Sequence, residues 1–177
     1  MDKHSPQKEQ KRIGTFMVVA MWVLFLILLT SFFEGVVDKQ TNPNQSLSTQ
    51  YTEAGVREVE LQRNRYGHYV TDGSINGQHV VFMLDTGATG VAVPQHIAND
   101  LQLKRGAAIQ VVTANGQVTG YASMLESVAV DGIELKNIRA IINPGDDSDM
   151  ILLGMSFLKK IEFTQRGNTL ILRQYTQ

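Results

Sequence analysis

The sequence predicts an all-β domain, a small barrel or sandwich, carried behind one apolar helix near the N-terminus. Three observations predict it. Turn signals recur through the chain at Asn76-Gly77, Ala114-Asn115-Gly116 and Asp131-Gly132, each set between short apolar runs. These runs are many and closely spaced, the pattern of antiparallel barrels and sandwiches. Residues 13–33, by contrast, form 21 consecutive uncharged positions rich in Val, Leu, Ile, Met and Phe.

That apolar stretch is long enough to cross a membrane, since about 20 helical residues span a hydrocarbon core of roughly 30 Å. A buried core helix is rarely apolar on every face for so long. A cleaved signal peptide has a shorter apolar region followed by a small-residue site, and Ser31-Phe32-Phe33-Glu34 is a poor one. The segment therefore reads as an uncleaved anchor. Lys3, Lys8, Lys11 and Arg12 precede it, and only Lys39 follows closely. The positive-inside rule then puts the N-terminus in the cytoplasm and the rest of the chain beyond the inner membrane, in a periplasm.

The remaining organisation follows in order. Residues 1–12 are a polar tail, 13–33 the anchor, 34–52 a linker of Asn, Gln, Ser and Thr with little to bury, and 53–177 the folded domain. About 125 residues are enough for one core. The exposed linker raises the expectation of self-release between Asp38 and Glu60. Residues 56–61 alternate as a first strand. Strands over 67–75 and 79–84 flank Asn76-Gly77, and 91–93 is a short apolar run. Pro94 opens a short helix that includes Ile97, Leu101 and Leu103. Residues 109–113 and 117–121 form a second hairpin, 128–130 and 133–135 a third. Apolar runs at 138–142 and 150–153 flank an acidic loop. Ser156 caps a short helix to Lys160, and 170–172 is a last strand.

Composition excludes several chemistries. The chain has 16 basic and 17 acidic residues, a net charge of -1, and no basic stripe in the folded part, so nothing points to nucleic acid. Without cysteine there are no disulfides, thiolates or Cys-ligated metals. The histidines, His4, His68, His79 and His96, have no metal-ligand spacing, and no metal or other cofactor is expected. Gly154-Met155-Ser156 is not a nucleophile elbow. The run Asp146-Asp147-Ser148-Asp149 reads as a solvated loop rather than a calcium site, because ligands from elsewhere are not evident.

One carboxylate stands apart. Asp85 ends the apolar run Val80-Val81-Phe82-Met83-Leu84, so it is partly desolvated at the end of a core strand. A lone carboxylate there costs several kcal/mol unless it is paired or hydrogen-bonded. Thr86 offers a hydroxyl, and Gly87 lets the chain turn so that its N–H approaches the carboxylate.

Three stretches in order carry a resemblance. Asp85-Thr86-Gly87-Ala88-Thr89 follows two apolar residues; Thr113-Ala114-Asn115-Gly116 sits in a hairpin; Leu152-Leu153-Gly154-Met155-Ser156-Phe157-Leu158 opens a short helix. Together they resemble the retropepsin-like aspartic proteases, most closely the bacterial membrane-anchored branch, over roughly residues 67–172. The resemblance implies a single-lobed, closed-barrel acid-protease fold. It implies that Asp85 is the catalytic carboxylate and that Thr86 bonds across a dyad to its mate. Gly87 would donate its N–H near the carboxylates, with Ala88 and Thr89 lining the cleft. Thr113, Ala114, Asn115 and Gly116 would form a flap, and Leu153 and Gly154 would pack beneath the active-site loop. Many viral members follow the second glycine with an Arg paired to an acid just after the triplet; here those positions are Met155 and Thr89, and both partners are missing.

The chain has one such triplet, whereas the chemistry needs two carboxylates about 3 Å apart sharing a proton. The implied enzyme is a homodimer acting on an extended peptide, favoured at mildly acid pH. The competing reading is a catalytically inactive module of the same fold that binds peptides or assembles; the intact triplet argues against it.

Overall fold

The computed structural model describes residues 6–51, 55–113 and 116–175. The chain divides into two compact units, Met1–Lys39 and Gln40–Gln177. In the first, a single helix α1 (Pro6–Thr41) extends the apolar stretch at both ends. Its segment Gly14–Thr41 is long and apolar enough to cross a membrane, and its side chains are unburied.

The second unit is built of β-strands. A four-stranded sheet takes the order β1 (Gln50–Tyr51), β2 (Arg57–Gln62), β11 (Thr169–Gln174) and β10 (Glu162–Arg166). The larger sheet takes the order β3 (Val70–Ile75), β4 (Gln78–Leu84), β9 (Ile151–Leu153), β5 (Val91–Pro94), β8 (Ile133–Asn143), β7 (Gly116–Val130) and β6 (Ala108–Thr113). An added pairing of β3 with β7, through Ser74↔Ala129 and Ile75↔Val128, closes six strands into a ring and leaves β6 outside it. The closure is tight: a side chain at Gly73 would meet the Ala129 carbonyl oxygen at 2.4 Å. Asn76, in the β3–β4 turn at φ 51°, secures it by accepting the Glu126 and Ser127 N–H groups at 2.9 and 3.1 Å. This is an all-β unit, as the sequence predicts, with two short helices, α2 (Gln95–Asp100) and α3 (Met155–Leu158).

Alternation fills the core. Ile138, Ala140 and Ile142 of β8, Val80 and Phe82 of β4, and Val59 and Leu61 of β2 all turn inward and are buried. Burying a side chain of this size stabilises by roughly 1.5–3 kcal/mol.

Three of the structure's departures from the sequence reading concern merged strands, a helix cap and the linker; besides these, α2 ends at Asp100, before Leu101 and Leu103. The runs expected as separate strands at 117–121 and 128–130 are one 15-residue strand, β7, and those at 133–135 and 138–142 are one 11-residue strand, β8. No Gly or Pro interrupts residues 121–130, and at Asn137, where φ is 54°, the pairing skips one step and resumes in the same register, from Leu125↔Ile138 to Ser127↔Lys136. Ser156 does not cap α3; Gly154 holds that position.

The third departure concerns the linker. Residues 34–41 continue the helix, and the compact unit begins at Gln40 rather than near residue 53. Asn42 and Asn44 are buried. Asn44 acts as a surrogate strand: its amide donates to the carbonyls of Gln62 (2.9 Å) and Val70 (2.7 Å), and its Oδ1 accepts the Gln62 N–H at 2.7 Å. The segment thus satisfies backbone groups of β2 and β3 that would otherwise be orphaned. Self-cleavage within residues 42–51 would first have to undock it. Asn44→Ala leaves those three groups without partners and should destabilise the domain by about 3 kcal/mol, read as a lowered midpoint in chemical denaturation.

The edge strand β10 is tied to its neighbours by side chains. Arg173 bridges Glu58 and Glu162, and the Tyr175 hydroxyl donates to Glu162 at 2.6 Å. The hydrogen bond from Tyr175, then that from Arg173, holds the Glu162 carboxyl below its usual value. A depressed carboxylate contributes stability above its unfolded value and loses it only as pH falls through the lowered folded one. This tie therefore survives into mildly acid conditions.

Candidate active site

Strand directions put the Asp85 loop where it is. β4 and β9 are parallel, with Leu84 opposite Leu153, so the next residues, Asp85 and Gly154, emerge at the same end of the sheet. β5 lies on the other side of β9 and runs antiparallel to it. Residues 85–90 must therefore cross over the end of β9 to pass from β4 to β5. Gly154 lies directly under that crossing. A Cβ there would stand 2.2 Å from the Gly90 carbonyl oxygen and 2.6 Å from that of Ala88.

Four backbone and side-chain hydrogen bonds fix the loop. The Asp85 N–H donates to the Leu153 carbonyl at 3.2 Å, and the Ala88 N–H to the Asp85 carbonyl at 3.3 Å. The Met155 N–H donates to the Ala88 carbonyl at 2.8 Å. The Gly87 N–H donates to Asp85 Oδ1 at 2.8 Å, as its place in the triplet predicts. Asp85 and Ala88 are half-buried, whereas Thr86, Gly87 and Thr89 are exposed. A cavity of about 300 Å³ beside Asp85 and Thr86 is walled by Tyr69, Leu158 and, from the edge strand β10, Phe163 and Gln165.

The site is thus a half-buried aspartate held by a glycine N–H, on a loop that crosses over a buried glycine. The model of the gag-polyprotein putative aspartyl protease family matches residues 71–160. A solved retropepsin-like aspartic protease from Rickettsia conorii is 34% identical, covers 72% of this chain and 95% of that one, and superposes with a TM-score of 0.58. The chain belongs to the retropepsin-like aspartic proteases. Two uncharacterized proteins, from Sinorhizobium sp and from Rickettsia prowazekii (strain Madrid E), are each 29% identical over 88% and 89% of this chain and 72% and 70% of theirs.

Within this retropepsin-like lobe, the structure brings Asp85, Thr86, Gly87, Ala88, Leu153 and Gly154 together. The hairpin at Thr113 and Gly116 is formed, with those two residues paired. Its tip, Ala114 and Asn115, lies outside the described residues. Met155, directly after the second glycine, ties its own N–H to the Ala88 carbonyl and packs against the core.

Sequence reasoning missed the role of Ser156. Its hydroxyl, buried, accepts the Val91 N–H at 3.1 Å and donates to the Arg139 carbonyl at 2.7 Å. It therefore pins the point where the active-site loop enters β5 to β8 alongside. A lone Ser in the apolar stretch Met155-Ser156-Phe157-Leu158 was the available signal. Ser156→Ala strands a donor and an acceptor and should cost about 2 kcal/mol in thermal or denaturant unfolding, with a lower turnover number as the loop loosens.

Proposed function

We propose that the chain is a membrane-anchored aspartic endopeptidase whose active site forms when two copies place their Asp85 carboxylates together on a two-fold axis. One observation carries this reading: Asp85 sits half-buried on a rigid loop whose following residues, Thr86 and Gly87, are exposed, so the loop tip is open to a second copy.

Two carboxylates about 3 Å apart cannot both ionise, so they share a proton. The ionised one takes a proton from a water, and the water oxygen bonds to the scissile carbonyl carbon. The protonated one gives its proton to the carbonyl oxygen, producing a gem-diol. Collapse of the gem-diol breaks the C–N bond as a proton passes to the departing nitrogen. Thr86 and Gly87 hold the two loops in register, and the β6–β7 hairpin, whose tip includes Ala114 and Asn115, closes over an extended peptide. The anchor at residues 13–33 keeps the N-terminus cytoplasmic and the protease domain on the periplasmic side of the inner membrane, in line with Lys3, Lys8, Lys11 and Arg12 before it. Two copies confined to one membrane meet at high effective concentration.

The full chain in detergent micelles, incubated with a mixed peptide library from mildly acid to neutral pH, should cleave internal peptide bonds best on the acid side. A folded dimer that binds library peptides but cuts none at any pH would instead establish the non-catalytic binding module.

A further inference from the structure

A second, larger cavity of about 660 Å³ opens at the C-terminal end of the active-site loop, beside Thr89 and Gly90. Four cationic residues line it: Lys104 and Arg105 from the segment before β6, Arg139 from β8, and Lys159 just after α3. Among the described residues no acidic one lines it, although the chain as a whole has 17 acidic residues against 16 basic ones. The segregation is therefore local. All four are exposed, and none forms an ion pair among the described residues. The Arg105 guanidinium instead lies 4.1 Å over the Tyr121 ring.

Strand alternation explains how the charges reach the cavity. Ile138, Ala140 and Ile142 turn into the core, so Arg139 and Ile141 stand on the opposite face of β8. Met124 of β7 pairs directly with Arg139. Met124 is 55% exposed, an apolar surface left open beside a guanidinium. The cavity thus joins an apolar floor to a cationic rim, and its volume falls within the range of ligand sites. Such a rim attracts anions and repels cations over several ångströms.

Resting on the protease reading above, we propose that this cavity is a substrate subsite that selects an acidic side chain, Glu or Asp, in the peptide to be cut. Its walls identify the occupant. One is the active-site loop and the other the base of the β6–β7 hairpin, the two elements between which an extended peptide would lie. Alternate side chains of a strand-like peptide point to the same side, so one enters the cavity while its neighbours face elsewhere. The aliphatic stem of Glu packs on Met124 and Ile141, and its carboxylate meets Arg139 and Lys159. Two-fold symmetry supplies one such cavity per protomer. The acidic preference therefore recurs at equivalent positions on the two sides of the scissile bond.

The test uses the full chain carrying Asp85→Asn in detergent micelles, so that binding is read without cleavage. Fluorescence anisotropy is measured with labelled peptides that share an apolar centre and carry Glu, Gln or Lys at each position in turn. Glu should bind about tenfold more tightly than Gln at one position on each side of the centre, and Lys more weakly than either. The exposed double reversal Arg139→Glu with Lys159→Glu should turn that preference toward Lys. Equal affinity for the three residues at every position, a Glu preference that survives the reversal, or failure of every peptide to bind would each overturn the assignment. So would reversal-sensitive binding to phosphatidylglycerol vesicles without a peptide preference, which would make the cavity a lipid contact. Wild-type chain assayed on the same peptides keeps the two readings apart. Cleavage without a Glu preference sinks the subsite alone, and Glu-selective binding with no cleavage sinks the protease alone.

Discussion

When wild-type chain is co-assembled with an equal amount of Asp85→Asn chain, about a quarter of the dimers should remain active, because random pairing leaves only that share with two carboxylates. The homodimer of the variant should hydrolyse peptides about 10³-fold more slowly or worse. Its fold should be unchanged. The Asp85 side chain accepts one hydrogen bond among the described residues, from the Gly87 N–H at 2.8 Å, and an Asn oxygen at that position accepts it equally well. What Asn cannot do is take a proton from water or carry the shared proton. In a mixed dimer one Asp85 keeps its carboxylate but loses the partner that must act as the acid. The measurement is peptide-cleavage rate against the fraction of wild-type chain, with thermal melting alongside. A rate that falls as the square of that fraction supports a shared site. A rate that falls in simple proportion means each chain carries a complete site, and near-wild-type cleavage by the variant homodimer removes Asp85 from the chemistry.

The parts of this site that were legible in the sequence are those fixed by local chemistry. Asp85-Thr86-Gly87 after an apolar strand marks a carboxylate on a tight turn, and the Gly87 hydrogen bond follows from spacing alone. Asn76-Gly77 marks its hairpin because both residues adopt positive φ, 51° and 78°. What escaped reading is held by contacts distant in sequence. Asn44 bonds to Gln62 and Val70, 18 and 26 residues away, so a polar stretch with no apolar periodicity reads as a linker while it completes two strands. Ser156 meets Val91 across 65 residues, and its helix-start appearance hides that contact. β10 was unread because its burial is nearly uniform and low; what holds it is pairing with β11 and the Arg173 and Tyr175 contacts, not an apolar face. The cationic cavity is likewise invisible in a chain whose charges nearly cancel, since Lys104, Arg105, Arg139 and Lys159 become neighbours only on folding.

Gly154→Ala should be among the most damaging single changes in the domain, costing about 3–5 kcal/mol, a large part of the total stability of a domain this size. The requirement is for space rather than conformation. Gly154 has φ -92° and ψ -170°, extended backbone that any residue adopts. A methyl there, however, would lie 2.2 Å from the Gly90 carbonyl oxygen, 2.6 Å from that of Ala88 and 2.9 Å from the Gly90 carbonyl carbon. All three are backbone atoms, so no side chain can rotate away. The loop cannot lift either, because the Met155 N–H holds Ala88 at 2.8 Å and Ser156 holds Val91 at 3.1 Å from the same short segment. Relief needs those bonds broken, and the Asp85 loop moves with them. Gly145→Ala is the control: its added methyl meets nothing nearer than 3.7 Å and its φ is not left-handed, so it should melt within a few degrees of wild type. Thermal unfolding of both variants, together with cleavage rate at a temperature where each is folded, separates the effects. Gly154→Ala is expected to lose stability and, in whatever fraction folds, most of its activity. If it melts alongside the Gly145→Ala control and cleaves normally, the loop does not rest on Gly154, and the crossing over β9 is not what fixes the position of Asp85.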